Sequence, residues 1–511
     1  MLFNSPAFIF LFLPIVLLGF FSLGKRGFQK SAVTWLVFSS LFFYGWWNPA
    51  YLWLLIFSIL FNFFLGIALE RRRKKAILVA GVAVNLGLLG YFKYADFFIL
   101  NANAMFDLDV GGQKILLPLA ISFFTFQQIA YIVDVYRGEV KERNFLHYAL
   151  FVTFFPQLIS GPIVHHAEML PQFARKESYK FRLSNLNFGL TTFAAGLFKK
   201  VVLADGISEY STPVFEAADA GQLVTFFDGW GGLIAYSMQI YFDFSGYADM
   251  AIGIGAMFGI ALPLNFNSPY RSRNIIQFWR CWHMTLSRFL KDYLYIPLGG
   301  NRKGSRYLNL FITMLLGGLW HGAAWNFVIW GALHGAYLML NHFWKHFSLK
   351  SKPKTLPKPS MLRAIFSTAL TFLAVSFAWA FFRAETFAGA LSLTKAILGQ
   401  NGLMLPAVSQ GFLPEFFQNS FSFFEGGGVL SFPSGWGFAW LLVLGGVIFF
   451  LPNTQEFITR ERFTEEKEAL AKGRASWTTS CLPAIVVGFV LFVSIKIMVS
   501  VSESEFLYFN F

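Results

Sequence analysis

The chain has 511 residues, 56% of them hydrophobic and only 13% charged, with a mean hydropathy of +0.54. A soluble domain carries roughly a quarter charged residues, and surface-to-volume scaling limits the apolar surface one core can hide. These values exclude a disordered chain, a fibrous protein and a conventional soluble enzyme, and they make lipid part of the solvent. The excess of 41 basic over 27 acidic residues, a formal charge of +14, lies in short loops between apolar runs. That is the pattern of cytoplasmic loops in a polytopic membrane protein. No nucleic-acid motif accompanies it, and none is expected to bind. Cys281 and Cys481 lie far apart and form neither a disulfide framework nor a CxxC pair.

A membrane span needs about 20 mostly apolar residues. The first run, 7–23, is followed rather than preceded by basic residues, so it reads as a span and not as a cleaved leader. Further runs cover 32–47, 51–69, 76–92 and 115–135, and the loops between them alternate in charge. The basic loops, Arg71 to Lys75 among them, are expected in the cytoplasm, which leaves the N-terminus outside.

From 145 to 345 the pattern is less regular: 145–163, 186–203, 225–241, 247–262, 308–320 and 323–342. Pro156, Gly161, Pro162, Pro263 and Pro269 interrupt it. Short, broken apolar segments predict re-entrant or half-membrane helices, which survive only where protein or a water-filled cavity covers them. The functional site is therefore expected here. A basic, proline-bearing linker follows, then 365–382, a long loop to about 435, 436–451, a charged segment with a short surface helix at 461–472, and 481–499. The fold class is all-α and polytopic, one membrane-embedded domain over 1–511. Its N-terminal spans occupy 1–143, the broken middle 144–345 and the C-terminal spans 346–511.

Ionisable residues at membrane depth are expensive and are functional hypotheses by default. Among eight histidines, His321 lies in Leu319-Trp320-His321-Gly322, flanked by Gly317 and Gly318. Imidazole titrates nearest neutrality and suits a general base. A hydrogen-bonded structural histidine is the competing reading. If its segment is helical, His283 shares a face with Trp279 and Ser287. Arg271, Arg273, Arg280, Arg288, Lys291, Arg302, Lys303 and Arg306 surround it; they suit either a phosphorylated ligand or ordinary topology. Asp243 and Asp249 read as proton-handling groups or as structural carboxylates paired with a buried cation. Asp134 reads as an interfacial pair with Arg137. His342 and His346 have helical metal spacing and His165-His166 adjoin Glu168. Without a third ligand near either pair, no metal centre is expected. The run from Gly299 to Ser305 resembles a phosphate loop but has Ser305 where the lysine belongs.

Phe278-Trp279-Arg280-Cys281-Trp282-His283, continuing through Pro297-Leu298-Gly299-Gly300-Asn301-Arg302, together with Trp320-His321-Gly322, resembles the membrane-bound O-acyltransferase (MBOAT) family. The likeness is strongest to its bacterial alginate O-acetylation branch. Ser122 to Gln127, Phe155 to Pro162, Asp243 to Tyr247 and the ending from Glu505 are also similar, and Cys281 stands where a second basic residue is expected. The resemblance implies a bundle of about 11 transmembrane helices, thinned in the middle, in the bacterial inner membrane. It implies His321 as the catalytic histidine and His283 as the second one. Trp320, Trp279, Trp282, Arg280 and Asn326 are then assigned to substrate binding, Asn326 with a structural amide as its other reading.

The implied reaction moves acetyl groups from acetyl-CoA, a donor substrate rather than a bound cofactor, towards an exported polysaccharide. The implied partners are an SGNH-hydrolase-like extracytoplasmic acetyltransferase and a polysaccharide synthesis and export complex. The alternatives are D-alanyl-type transfer from a carrier protein, a solute or proton transporter, and a scaffold.

Overall fold

A computed structural model describes residues 1–112, 115–140, 142–350, 360–406, 422–424, 436–457, 481–501 and 504–507. The described chain is helical. In the first third lie α1 (Phe8–Lys25), α2 (Gln29–Gly45), α3 (Leu52–Arg72), α4 (Lys75–Phe106) and α5 (Ile121–Arg137). The middle holds the short α6 (Phe145–Thr153), α7 (Phe155–Leu158) and α8 (His166–Ala174), then α9 (Leu183–Asp219), α10 (Phe226–Met257), α11 (Ile275–Cys281) and α12 (Met284–Leu290). α13 (Arg306–His321), α14 (Trp325–Lys350), α15 (Met361–Arg383), α16 (Phe387–Ile397), α17 (Trp436–Phe450) and α18 (Cys481–Ser500) complete it. Among the described residues, β-structure is limited to a three-residue parallel pair, β1 (Met404–Pro406) with β2 (Ser422–Phe424).

Among the described residues, five helices are long and apolar enough to cross a membrane: α1, α3 with its entry from Pro49, α4, α9 and α15. Length and apolarity alone therefore do not reproduce the expected count of about 11. α2 has 17 residues, and α10, 32 residues long, carries Asp228, Asp243 and Asp249. The structure corrects several boundaries. α5 begins at Ile121 rather than 115, because Pro118 disfavours helix before it and Ala120 is left-handed. The stretches 225–241 and 247–262 are largely one continuous helix, α10. α16 lies in what the sequence reads as loop. Thr386 caps its start by accepting from Gly389 N at 2.9 Å, and Asp219 anchors that cap. The surface helix expected at 461–472 lies outside the described residues.

By backbone contact the chain forms two units, with boundaries inside α9 and α10. The first comprises Met1–Phe198, Ser245–Asn265 and Thr454–Phe511. Its broken segment explains the Phe155 to Pro162 motif. α6 has nine residues, about 14 Å at 1.5 Å per residue, roughly half of a bilayer core. Residues 151–162 are all buried, so protein and not lipid covers the irregular backbone. Side chains satisfy the groups the break exposes. The Phe151 carbonyl accepts from Gln127 Nε2 at 2.8 Å and Gln157 Nε2 at 2.7 Å, and Phe155 N donates to Ser40 Oγ at 3.2 Å. A Cβ on Gly161 would collide with the Gln157 backbone, so the turn requires glycine. Phe155 then inserts its ring among Phe8, Phe12 and Phe43.

Close helix approach in this unit rests on small residues. Cβ atoms on Gly189 and Gly196 of α9 would strike the backbone of α10 at Gly253 and Gly246. Lipid tails are as apolar as leucine, so such intimate packing is what holds membrane helices together. The chain's two ends also meet here: Phe3 and Phe506 lie 4.9 and 4.4 Å from Tyr247, and Asn4 donates to Ser504 O.

The second unit comprises Lys199–Phe244 and Phe266–Asn453. Its buried polar groups form a connected chain. Trp379 Nε1 donates to Tyr270 Oη, which donates to Ser237 O, and Ser237 Oγ meets Ser376 Oγ at 2.9 Å. This ties α15, α10 and the turn at Pro269–Arg271 together.

Candidate active site

The Trp-His-Gly motif ends a helix. His321 is the last residue of α13, and Gly322 takes an extended conformation. The glycines flanking the histidine serve packing. A Cβ on Gly318 would meet the Phe327 carbonyl, one on Gly322 the Phe327 ring, and one on Gly331 the Met314 carbonyl. α13 and α14 therefore press together immediately beside His321. Its imidazole is 3% exposed and touches the rings of Trp320, Trp330 and Phe382 at 4.9, 5.1 and 5.1 Å.

The second histidine is placed differently from the sequence expectation. Trp279, His283 and Ser287 do not share one helical face. The segment breaks between α11 and α12, with His283 at φ 41°, ψ 55° as the N-cap of α12. α11 stops at Cys281, and Trp282 is extended. The break buries Trp282 against Phe266, Tyr270, Phe278 and Trp379. It also turns the fully buried His283 onto Phe244, edge-on at 4.8 Å, and towards Trp320 at 6.3 Å. The Trp320 indole thus contacts both histidines.

Trp279 joins the same cluster through Trp330 at 5.8 Å. His334, one histidine among eight in the sequence, is placed here by the fold. It is fully buried on α14, one turn beyond Trp330, against Trp330, Trp279 and Phe278 at 4.7, 5.1 and 6.1 Å. Among the described residues neither of its nitrogens has a hydrogen-bond partner, nor do Nε1 of Trp279 and Trp330. Its signal in the sequence is its i+4 spacing from Trp330.

Other candidates separate. Arg280 is exposed, away from the buried rings, with Arg273, Lys291, Arg302 and Lys303 also exposed. Arg271 is committed to the end of α17, donating to the carbonyls of Ile448 and Leu451. Arg306 bonds the His342 ring, competing with a metal for its nitrogens. The Gly299 to Ser305 run is a folded turn, its carbonyls at Gly300 and Lys303 held by Asn309 Nδ2 at 3.1 Å.

Asn326 is 4% exposed and donates to the Ala384 carbonyl at 2.8 Å, closing the end of α15. One amide N–H therefore serves the structural reading of this residue. Asn326→Ala is expected to cost about 1–3 kcal/mol of stability from the orphaned carbonyl, read as a lower unfolding midpoint in detergent. Turnover per folded molecule should be kept; a selective fall in kcat at unchanged stability would contradict this.

Asp243 pairs with Lys200 at 2.7 Å, and Lys200 also meets Asp205 at 2.9 Å. Lys200 enters from a π-helical turn, Lys199–Ala204, within α9. Asp249 accepts from Gln455 Nε2 at 3.0 Å in the first unit. Asp134 does pair with Arg137, at 3.2 Å, but the fold also brings it to His165 and His166.

Residues 136–378 match the MBOAT, membrane-bound O-acyltransferase, family, a span that includes both histidine motifs. The chain is 45% identical to the peptidoglycan O-acetyltransferase of Helicobacter pylori, over 80% of this chain and 82% of that one. It is 42% identical to a probable alginate O-acetylase of Azotobacter vinelandii over 75% of each chain. The teichoic acid D-alanyltransferase of Bacillus subtilis is 29% identical over 53% of this chain and 69% of its own. A multi-pass helical membrane protein with its two histidine motifs gathered round one indole, this chain belongs to the membrane-bound O-acyltransferase family and is an acyltransferase enzyme.

Proposed function

We propose that the protein carries acetyl groups from cytoplasmic acetyl-CoA through the bacterial inner membrane for O-acetylation of a glycan on the outside. The observation that carries this reading is the buried His321, walled by Trp320, Trp330 and Phe382 and linked through Trp320 to His283. A thioester brought there is shielded from water, which suppresses hydrolysis and strengthens electrostatic interactions. An acceptor hydroxyl attacks the thioester carbonyl while His321 takes its proton. The C–S bond breaks, and the imidazolium returns the proton to the leaving thiolate. His283 positions the thioester or orients His321 through the shared indole.

Exposed Arg273, Arg280, Lys291, Arg302 and Lys303 supply positive charge for the phosphates of the CoA nucleotide. The acceptor hydroxyl is that of an SGNH-hydrolase-like extracytoplasmic acetyltransferase, which hands the acetyl group to a glycan hydroxyl and regains its own proton, working with a glycan synthesis or export complex. The names of the relatives support an acetylated cell-surface or exported glycan, alginate or peptidoglycan, as the acceptor class. A carrier-protein donor, as in D-alanyl transfer, is disfavoured because those relatives are more distant and match less of the chain.

The test is the full chain in proteoliposomes with radiolabelled acetyl-CoA or acetyl carrier protein, alongside O-acetyl analysis of exported glycans in a deletion strain. Consumption of acetyl-CoA and loss of glycan O-acetyl groups are expected. Use of the carrier protein alone would overturn the donor, and unchanged glycan acetylation would overturn the acceptor.

A further inference from the structure

Asp134 lies in the last turn of α5, and His165 and His166 sit at the start of α8, all within the first unit. His165 Nε2 is 2.9 Å and His166 Nδ1 3.5 Å from the same carboxylate oxygen, Asp134 Oδ2. One ligand atom from each residue falls within 4.8 Å of the others. We propose that this triad binds a divalent transition metal, zinc by its donor set, at a site separate from the aromatic cluster around His321.

Zinc holds nitrogen and oxygen ligands at about 2.0–2.1 Å, so neighbouring ligand atoms of a tetrahedral site stand about 3.3 Å apart. The two measured separations to the carboxylate oxygen bracket that value, and the histidine nitrogens lie within 4.8 Å of each other. Two imidazoles and one carboxylate form a borderline-soft donor set suited to zinc rather than to calcium or magnesium, which prefer all-oxygen shells. The surrounding charge is mixed, since the start of α8 and Arg137 are positive. The carboxyl end of α5 presents the negative pole of a helix. Arg137 bonds the other carboxylate oxygen, Oδ1, at 3.2 Å, which fixes the orientation of the group and leaves Oδ2 facing the histidines.

Asp134 and His166 are buried, whereas the His165 side chain is 21% exposed and gives the ion a way in. In the sequence the adjacent histidines have no third ligand within metal-motif spacing; the fold supplies it from another helix. The joint is also mechanically placed: a metal there would clamp the end of α5 to the chain leaving the broken, buried segment 151–162. This inference does not rest on the acetyl-transfer reading.

The experiment uses the full chain, purified in detergent through a peptide tag that does not bind metals. It is stripped with chelator and then exposed to Zn²⁺ or Co²⁺. Elemental analysis after desalting is expected to give one metal per chain for wild type. Co²⁺ should add the visible bands of a tetrahedral site, and Zn²⁺ should raise the unfolding midpoint. His165→Gln alters a partly exposed ring and should fold; it is expected to lose stoichiometric metal and the midpoint shift, as is Asp134→Asn. Wild type that stays metal-free after loading, with no midpoint shift, would overturn the proposal. So would His165→Gln and Asp134→Asn, both folded, that keep full occupancy. The triad would then be a proton-bridged pair.

Discussion

Replacing His321 by alanine is expected to lower acyl transfer by at least the ~10²–10⁴-fold that a positioned general base supplies, with the protein still present in the membrane. Alanine leaves a void among Trp320, Trp330 and Phe382, so part of any loss would be structural. His321→Phe controls for this by refilling the aromatic wall without offering a base. Both variants should be inactive, and the phenylalanine one should unfold near the wild-type midpoint. Full activity in either, at matched expression, would move the chemistry away from the Trp-His-Gly motif and reduce His321 to packing.

The largest stability effect is expected at Lys200. Its ammonium is 2% exposed and bridges Asp243, equally buried, to the more accessible Asp205. Lys200→Met leaves the Asp243 carboxylate buried without its cation, a change that costs about 3–5 kcal/mol. A folded protein has only about 5–15 kcal/mol in hand, so the variant should accumulate poorly and unfold early. The double variant Lys200→Met with Asp243→Leu removes both charges together and is expected to regain much of the loss. Thermal unfolding and membrane abundance report this, and activity of the double variant separates two roles. A stable, active double variant assigns the pair to architecture. A stable, inactive one assigns it to proton handling.

The helical breaks at Pro156 and Gly161 were legible because proline removes a donor and glycine permits close backbone approach; both effects act locally. The apolar runs of α1, α3, α4, α9 and α15 were legible for the same reason. The break at His283 was not, since no proline or glycine stands between Trp279 and Ser287. There the burial of Trp282 among distant rings overrides local propensity. The continuity of α10 through Asp243 was equally hidden, because the compensating Lys200 sits on another helix. Asp134 could be read with Arg137, one turn away, but not with His165 and His166. The histidine motifs named the family, yet the shared Trp320 and the nearby His334 emerge only when helices from different parts of the chain meet.

The left-handed backbone at His283 carries a local cost in stability. A non-glycine residue in that conformation costs about 1–2 kcal/mol, and Gly or Asn would adopt it more easily. His283 is fully buried, so selection for survival alone should reach those residues at position 283 only together with neighbouring changes that refill the void. It would yield a hardier protein stripped of the imidazole beside Trp320. Engineering this enzyme for harsh conditions requires selection on acyl transfer itself, with position 283 held fixed while stability is sought elsewhere.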